Sequence, residues 1–163
     1  MTTARDLIVD ALDIESFLLC ESEPEAKELI AKLMQSLGLT RHVRFLGFRD
    51  DAASLCVAMD AFVLPSLWEH MPLALGEAMR AGLPVVTTPW AGAEAFVDDG
   101  VTGVVAADFS VEAFAAALDR LRDEPRRRAL AERGRAFADR RFDLERNVRR
   151  HIELYAELTG ARP

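Results

Sequence analysis

The sequence predicts an α/β fold: a Rossmann-like parallel sheet of about five strands flanked by helices. Short apolar runs, rich in β-branched and aromatic residues, alternate with segments whose apolar residues recur at helical spacing. This alternation is typical of strand–helix–strand units with right-handed crossovers. Half of the 163 residues are hydrophobic and 29% are charged, as in a globular domain with a sizeable core. We therefore expect a single domain over residues 1–163, with a helical extension at about 125–158.

Short apolar runs predict strands at residues 15–20, 43–46, 60–64, 85–88 and 103–106. Helices are predicted at residues 4–12, 25–37, 50–58, 72–82, 91–97, 111–122, 125–140 and 143–158. Ser22 and Glu25 form a capping box at the start of the second of these helices, and Gly38 ends it. Asp50 and Asp51 are expected to cap the third.

Residues 64–86 carry the most informative stretch. A predicted strand stops at Pro65, a loop of polar and aromatic residues follows, and Pro72 begins a helix that ends at Gly82. Loops at the carboxyl ends of parallel strands are where such sheets bind ligands. The unpaired N–H groups at the start of a helix carry partial positive charge and favour phosphate. The spacing therefore predicts a phosphate-binding loop between the third strand and its helix.

Two glutamates accompany this loop. Glu69 lies within it, and Glu77 follows eight residues later in the second turn of the helix. A carboxylate accepts two hydrogen bonds from a vicinal diol, such as the edge of a ribose or a hexose. Phosphate-binding amides flanked by two such carboxylates would suit a nucleotide sugar. The alternative is that both are solvated surface glutamates, which is the commoner role of a single Glu on a helix.

The whole stretch resembles the signature of the donor-binding, C-terminal domain of retaining GT-B glycosyltransferases of the family-four type. That signature has Pro-Ser, two glutamates eight positions apart, Ala-Met, Gly and Pro-Val-Val. The matching residues are Pro65, Ser66, Glu69, Pro72, Leu73, Glu77, Ala78, Met79, Ala81, Gly82, Pro84, Val85 and Val86. The resemblance can be followed over about residues 6–158, but it covers only half of the family's enzyme.

The resemblance implies a set of donor-binding residues. Glu77 would hold the ribose hydroxyls, and Glu69, the implied catalytic residue, would lie near the hydroxyls of the transferred sugar. The backbone of a short segment after Glu69 would cradle the diphosphate, and two residues of a later loop would line the sugar side. These are His70, Met71, Pro72 and Leu73 for the diphosphate, and Gly92 and Glu94 for the sugar.

Three ring-bearing side chains accompany the expected site. His70 stands where the family usually has Gly, so it would be strained if this position required a positive φ. Trp68 and Trp90 flank the predicted pocket in sequence. Each would either stack on a base or a sugar or pack in the core.

By this resemblance, the chain is the donor-binding half of an enzyme that transfers a hexosyl group from a nucleotide-diphosphate sugar with retention. The leaving diphosphate would be stabilised without a metal, and no cofactor is expected. The chain begins after the family's first strand, so the strands at 15–20 and 60–64 would either pair directly or leave a gap. A complementing acceptor-binding domain or polypeptide is an expected partner. The alternatives are a non-catalytic module that binds a nucleotide sugar or a protein, and an inactive fragment.

Composition narrows the expected partners and compartment. The net charge of −7 argues against a nucleic-acid partner. Residues 119–162 carry 13 Arg and 9 acidic residues, which indicates interleaved charges on exposed helices and at most a peripheral contact with a membrane. The sequence has no signal-peptide pattern and no membrane-spanning run. Cys20 and Cys56 are expected as buried thiols, so we expect a cytoplasmic protein.

The last predicted helix carries an apolar stripe at helical spacing. Its members are Leu144, Val148, Ile152 and Tyr155. The stripe requires a surface to cover it, either the sheet of this chain or another domain.

Overall fold

The structure, a computed structural model, describes residues 16–18, 24–46 and 49–160. The strands are β1 (Ser16–Leu18), β2 (Val43–Phe45), β3 (Phe62–Leu64), β4 (Val85–Thr87) and β5 (Val104–Val105). The helices are α1 (Pro24–Ser36), α2 (Ala52–Leu55), α3 (Leu73–Arg80), α4 (Val111–Asp119), α5 (Glu124–Arg141) and α6 (Leu144–Thr159). Short 3₁₀ helices lie at Cys56–Ala58 and Ala93–Ala95. The predicted helix at 4–12, Ser22 of the capping box and Cys20 lie outside the described residues.

Every pair of neighbouring strands is parallel, which confirms the predicted fold class, but the strands form two sheets. β1 pairs with β2, with Ser16 opposite Val43. β3, β4 and β5 pair in that order, with Phe62 opposite Val85 and Val86 opposite Val104. Of the two alternatives predicted for the strands at 15–20 and 60–64, direct pairing or a gap, the described residues show the gap, which divides the five strands between two sheets. The two sheets are separate because β1 and β3 are not hydrogen-bonded to each other, and no described strand lies between them to pair with both.

The core is built on both faces of β4. Successive strand residues point to opposite faces, so Val85 and Val86 face different clusters. Val85 packs with Leu75, Ala78, Met79 and Ala138, which come from α3 and α5. Val86 packs with Val104, Ala117, Leu121 and Leu130. Both valines have no exposed surface, as expected for a parallel sheet that is covered on both sides.

The predicted cap of the short helix after β2 is not formed. Asp51 occupies the position before α2, but its side chain makes no capping hydrogen bond. Its two carboxylate oxygens instead accept hydrogen bonds from Arg49 at 2.7 and 2.6 Å. The hydrogen bond from Arg49 lowers the pKa of the Asp51 carboxyl. The prediction failed because a guanidinium two residues away offers both oxygens a charged donor, whereas a cap offers one neutral amide. The helix itself is α2 followed by a 3₁₀ turn, and the one expected at 91–97 is the 3₁₀ turn Ala93–Ala95.

The last helix is confirmed in position but does not pack on the sheet. None of the residues of α6 is buried. The four stripe residues are exposed by between 49% and 74%. The alternative that the stripe covers the chain's own sheet is therefore excluded for the described residues. Along α4 to α6 the charges interleave as expected, with pairs such as Arg122–Asp119 and Arg128–Glu124. In the described part of the chain, no helix has both the length and the apolar character of a membrane span.

Candidate functional site

Two loops meet at the carboxyl ends of β3 and β4. The first, residues 65–72, connects β3 to α3, and the second, residues 88–92, follows β4. Because the two strands are parallel neighbours, these loops leave the same edge of the sheet. A direct hydrogen bond joins them, donated by the hydroxyl of Thr88 to the main-chain carbonyl of Ser66. The loop in which the sequence predicts a binding site therefore lies at this edge of the sheet, in contact with the loop after β4.

Glu69 is held within the first loop. Its carboxylate is partly buried and accepts a hydrogen bond from the hydroxyl of Ser66, with 2.6 Å between Ser66 Oγ and Glu69 Oε1. Among the described residues, no other hydrogen-bond partner of this carboxylate is found. An ionised carboxylate accepts about four hydrogen bonds. Glu69 therefore has unused acceptor capacity at the loop.

The start of α3 leaves main-chain donors without acceptors. Pro72 is buried and occupies the N-cap, and its carbonyl accepts from the amide of Leu75 at 3.1 Å. In the part of the chain that the structure describes, the amides of His70, Met71 and Leu73 donate to no backbone carbonyl. Pro72 carries no amide hydrogen, so it cannot donate to a diphosphate, as the cradle predicted over 70–73 would require. Its contribution is to begin the helix with a fixed φ, and the other three residues supply the donors.

His70 is unstrained. No described residue other than glycine has a positive φ, so the strain foreseen at this position is absent. The His70 ring meets Trp68 edge to face, with 5.5 Å between the ring centroids. Trp68, Met71 and Leu73 are each more than half exposed. The outer side of the loop is therefore an apolar rim, and Trp68 is not a core residue.

Glu77 lies in the second turn of α3 and is exposed. Burial, together with the negative charge of Glu77, raises the pKa of the Cys56 thiol. This electrostatic effect indicates that Glu77 lies near the 3₁₀ turn that precedes β3. Cys56 itself is a free buried thiol, as predicted.

Gly92 and Glu94 belong to the second loop and its 3₁₀ turn. Gly92 has a φ of 95°, in the left-handed region where a side chain would be strained, so this position requires glycine for the turn itself. Glu94 is exposed and lines a cavity of about 700 Å³ with Trp90, Asp98, Phe137 and Arg140. Neither Glu69 nor Glu77 lines that cavity. Of the predicted site residues, Glu69, His70, Met71 and Pro72 lie in the first loop, and Leu73 begins α3. Glu94 lines a cavity that none of these residues lines.

Trp90 is a core residue rather than a stacking platform. It is 2% exposed, and its indole N–H donates to Thr87 Oγ1 at 2.8 Å. No role was predicted for the hydroxyls of Ser66, Thr87 and Thr88. Those of Thr87 and Thr88 donate to the end of β3 and to the loop after it, and that of Ser66 donates to Glu69. The available signal was their position at or just after the ends of two neighbouring strands. Within the described residues, no group of three or more His, Cys, Asp or Glu side chains could hold a metal ion.

Comparison with known proteins identifies relatives of this chain. The family described as "Glycosyl transferases group 1" matches residues 8–137. The lipopolysaccharide core biosynthesis glycosyltransferase LpsE of Rhizobium meliloti (strain 1021) is 32% identical over 133 residues, which are 81% of this chain and 39% of LpsE. An Escherichia coli enzyme named UDP-Gal:alpha-D-GlcNAc-diphosphoundecaprenol alpha-1,3-galactosyltransferase is 30% identical over 122 residues, 75% of this chain and 32% of that enzyme.

A solved structure shares the fold. The crystal structure of HepE of Anabaena in complex with UDP matches with a TM-score of 0.84 at 26% identity, and the match covers 93% of this chain and 44% of HepE. The chain thus spans less than half the length of each of these relatives. These matches confirm the resemblance to GT-B glycosyltransferases. Since the family match covers most of the chain and contains every predicted site residue, the chain belongs to the glycosyl transferases group 1 family.

Proposed function

We propose that this chain is the donor-binding half of a glycosyltransferase that takes a sugar from a nucleotide-diphosphate sugar and transfers it with retention. The observation that carries the proposal is the loop between β3 and α3. There, a carboxylate with unused acceptor capacity lies beside three amides that have no described backbone acceptor. Acceptors suit sugar hydroxyls and donors suit phosphate oxygens, so the loop has the chemistry of both parts of such a donor. Family membership supports the same conclusion.

The predicted residues other than Glu94 each receive a role in binding the donor. Glu77 accepts hydrogen bonds from the ribose hydroxyls, and Glu69 accepts them from the transferred sugar. The amides of His70, Met71 and Leu73 donate to the diphosphate, aided by the positive end of the α3 dipole. Pro72 begins α3, and the amide of Leu73, the first residue of this helix, is one of these donors. Gly92 is assigned to the sugar side, where it lets the backbone turn sharply, whereas Glu94 lines a cavity that Glu69 does not line, and no contact with the sugar is assigned to it.

The proposed chemistry is electrostatic. As the bond from the sugar to the diphosphate breaks, negative charge grows on the diphosphate, and main-chain donors that already point at it stabilise this charge. Glu69 lies on the sugar side of the reacting bond, where it fixes the hydroxyls while positive charge develops on the ring. The proposal assigns no nucleophilic side chain and no metal to the reaction.

An acceptor-binding domain or polypeptide completes the proposed enzyme. The relatives for which a transferase activity is named are more than twice as long as the matching part of this chain. The uncovered apolar stripe of α6 supports a contact with a further folded unit, because such stripes are normally buried. Binding of the donor is therefore proposed for the chain alone, and transfer for its complex with the acceptor-binding half.

Calorimetric titration of the purified chain with UDP, UDP-glucose, UDP-galactose and GDP-mannose tests donor binding. At least one of these ligands should bind saturably, and Glu77→Ala should weaken that binding by about 10- to 100-fold, the size expected for a lost hydrogen bond to a charged group. Glu132→Ala, which removes another exposed helical carboxylate on α5, is the matched control and should leave the affinity unchanged. Absence of binding by the wild-type chain, or equal effects of the two variants, would contradict the proposal.

Transfer is tested separately. The chain is mixed with the acceptor-binding half of a relative such as LpsE and with a donor that it binds, and the anomeric configuration of the product is read by NMR. The expected product keeps the configuration of the donor. An inverted product would refute the retaining mechanism. Donor binding without transfer in every combination would make the chain a nucleotide-sugar-binding module.

A further inference from the structure

A buried chain of hydrogen bonds ties the end of β4 to the end of β3. The indole N–H of Trp90 donates to Thr87 Oγ1 at 2.8 Å, and Thr87 Oγ1 donates to the carbonyl of Leu64 at 3.0 Å. Thr87 has no exposed surface and Trp90 almost none. Polar groups in such surroundings are costly unless they are paired, so these bonds hold the last residue of β3 in one place.

Thr88 extends this connection into the loop. Its amide donates to the carbonyl of Leu64 at 3.4 Å, and its hydroxyl donates to the carbonyl of Ser66. Thr88 is 5% exposed, so solvent hardly competes for its hydroxyl. The backbone of Ser66 is thereby fixed to Thr88, the residue after β4, which lies 22 positions away along the chain.

Ser66 is then held on both sides. While its carbonyl accepts from Thr88, its hydroxyl donates its single hydrogen to Glu69 Oε1 at 2.6 Å. A glutamate side chain has three rotatable bonds, and confining it costs free energy that the ligand would otherwise have to supply on binding. The hydrogen bond from the Ser66 hydroxyl confines Glu69 before any ligand binds, because it favours the rotamer in which Glu69 is partly buried against the loop.

We propose that Ser66 and Thr88 are positioning residues that orient the Glu69 carboxylate toward the sugar of the donor, with Thr88 acting through Ser66. The ligand in this statement rests on the function proposed above. Because Ser66 occupies one acceptor site on Oε1, the sugar hydroxyls meet the remaining sites, chiefly those of Oε2. The hydrogen-bonded series Thr88–Ser66–Glu69, called the relay below, then contributes to recognition of the sugar and not of the nucleotide. In the proposed function the nucleotide is bound by Glu77 and by the amides of His70, Met71 and Leu73.

The test compares the affinity for UDP-glucose or UDP-galactose, whichever binds, with the affinity for UDP. Ser66→Ala and Thr88→Val should each weaken binding of the sugar nucleotide by about 3- to 10-fold and change UDP binding by less than 2-fold. Thr88→Ser keeps the hydroxyl and should therefore keep the wild-type ratio of the affinity for the UDP-sugar to the affinity for UDP. Ser36→Ala removes an exposed serine hydroxyl that donates to the carbonyl of Leu33 within α1, and it should change neither affinity.

Two results would overturn the inference. The first is an equal loss of UDP and UDP-sugar affinity in Ser66→Ala, which a general loosening of the loop would cause. The second is an unchanged UDP-sugar affinity in both Ser66→Ala and Thr88→Val. If the wild-type chain binds no nucleotide at all, the proposed function fails, but the relay is not yet tested. A double-mutant cycle on the stability of the chain then measures the interaction between Ser66 and Glu69 without a ligand. The unfolding equilibrium constants in urea for Ser66→Ala, Glu69→Ala and the double variant should show a coupling of about 3- to 10-fold, and additive effects would refute the hydrogen-bonded connection between the two side chains.

Discussion

At the scale of single residues, Asp99 shows how one carboxylate can join three segments. Its Oδ1 accepts from the main-chain N–H of Val105 on β5 and from the guanidinium of Arg120 after α4, both at 2.9 Å. Burial by itself would raise the pKa of Asp99, but the Val105 amide and the Arg120 charge together outweigh it and lower the pKa. The ionised carboxylate is therefore the form that the folded chain stabilises.

A pH dependence of stability follows from this lowered pKa. In the unfolded chain Asp99 titrates near its ordinary value of about 3.9, so its contribution is complete above that pH and disappears as the pH falls through the lower folded value. Asp99→Asn should reduce the free energy of unfolding by at most about 1 kcal/mol at pH 7, since Asp99 is half exposed, and by less at pH 2.5. Urea unfolding between pH 2.5 and 7 measures both, with the exposed Asp60→Asn as control. If the loss of unfolding free energy caused by Asp99→Asn grew toward low pH, the prediction would be contradicted.

At the scale of elements, the two long C-terminal helices have opposite roles. Helix α5 buries Leu130, Gly134 and Ala138, and it approaches the turn before β5 so closely that a Cβ on Gly134 would lie 2.7 Å from the carbonyl oxygen of Thr102. Helix α6 buries none of its residues. Helix α5 is therefore part of the core of this chain, whereas α6 presents an apolar face to its surroundings.

This contrast predicts unequal costs for substitutions on the two helices. Leu130→Ala should reduce the free energy of unfolding by about 2 to 5 kcal/mol, because it removes a fully buried side chain and leaves a cavity. Ile152→Ser should change it by less than about 0.5 kcal/mol, because the Ile152 side chain is more than half exposed. Urea unfolding of the purified chain measures both. A cost above 1 kcal/mol for Ile152→Ser would show that α6 packs on the chain's own core after all.

At the scale of the whole molecule, the division into two sheets predicts uneven local stability. The three-stranded sheet has β4 fully buried between helices on both faces, whereas the residues of β2 are only partly covered. Local opening is easier where few apolar contacts protect the hydrogen bonds. We expect the amides of β4 to exchange at least tenfold more slowly than those of β2 in native-state hydrogen exchange followed by NMR. Equal protection of the two strands would mean that the sheets unfold as one unit.

Much of the secondary structure, including the loop between β3 and α3, could be predicted from the sequence. The five strands and the helices from residue 73 to 80 and beyond residue 110 lie within a few residues of their predicted positions, because apolar periodicity and flanking Pro and Gly act locally. The same holds for the loop that contains Glu69, since a strand end and a helix start define it. The prediction that Asp51 caps α2 was wrong because its carboxylate accepts hydrogen bonds from Arg49 instead. Capping propensity describes one position at a time and does not include this competing side chain.

The sequence by itself determined the alternation of strands and helices, the family signature and the placement of an acidic, amide-rich loop at a strand end. Only the tertiary structure decided that β1 and β3 do not pair, that Trp90 is buried while Trp68 is exposed, and that Thr88 holds Ser66, which in turn holds Glu69. The physical reason is distance along the chain. Periodicity and capping depend on residues a few positions apart, whereas burial and the hydrogen bond from Thr88 to Ser66 depend on residues that the fold brings together from segments 22 positions apart.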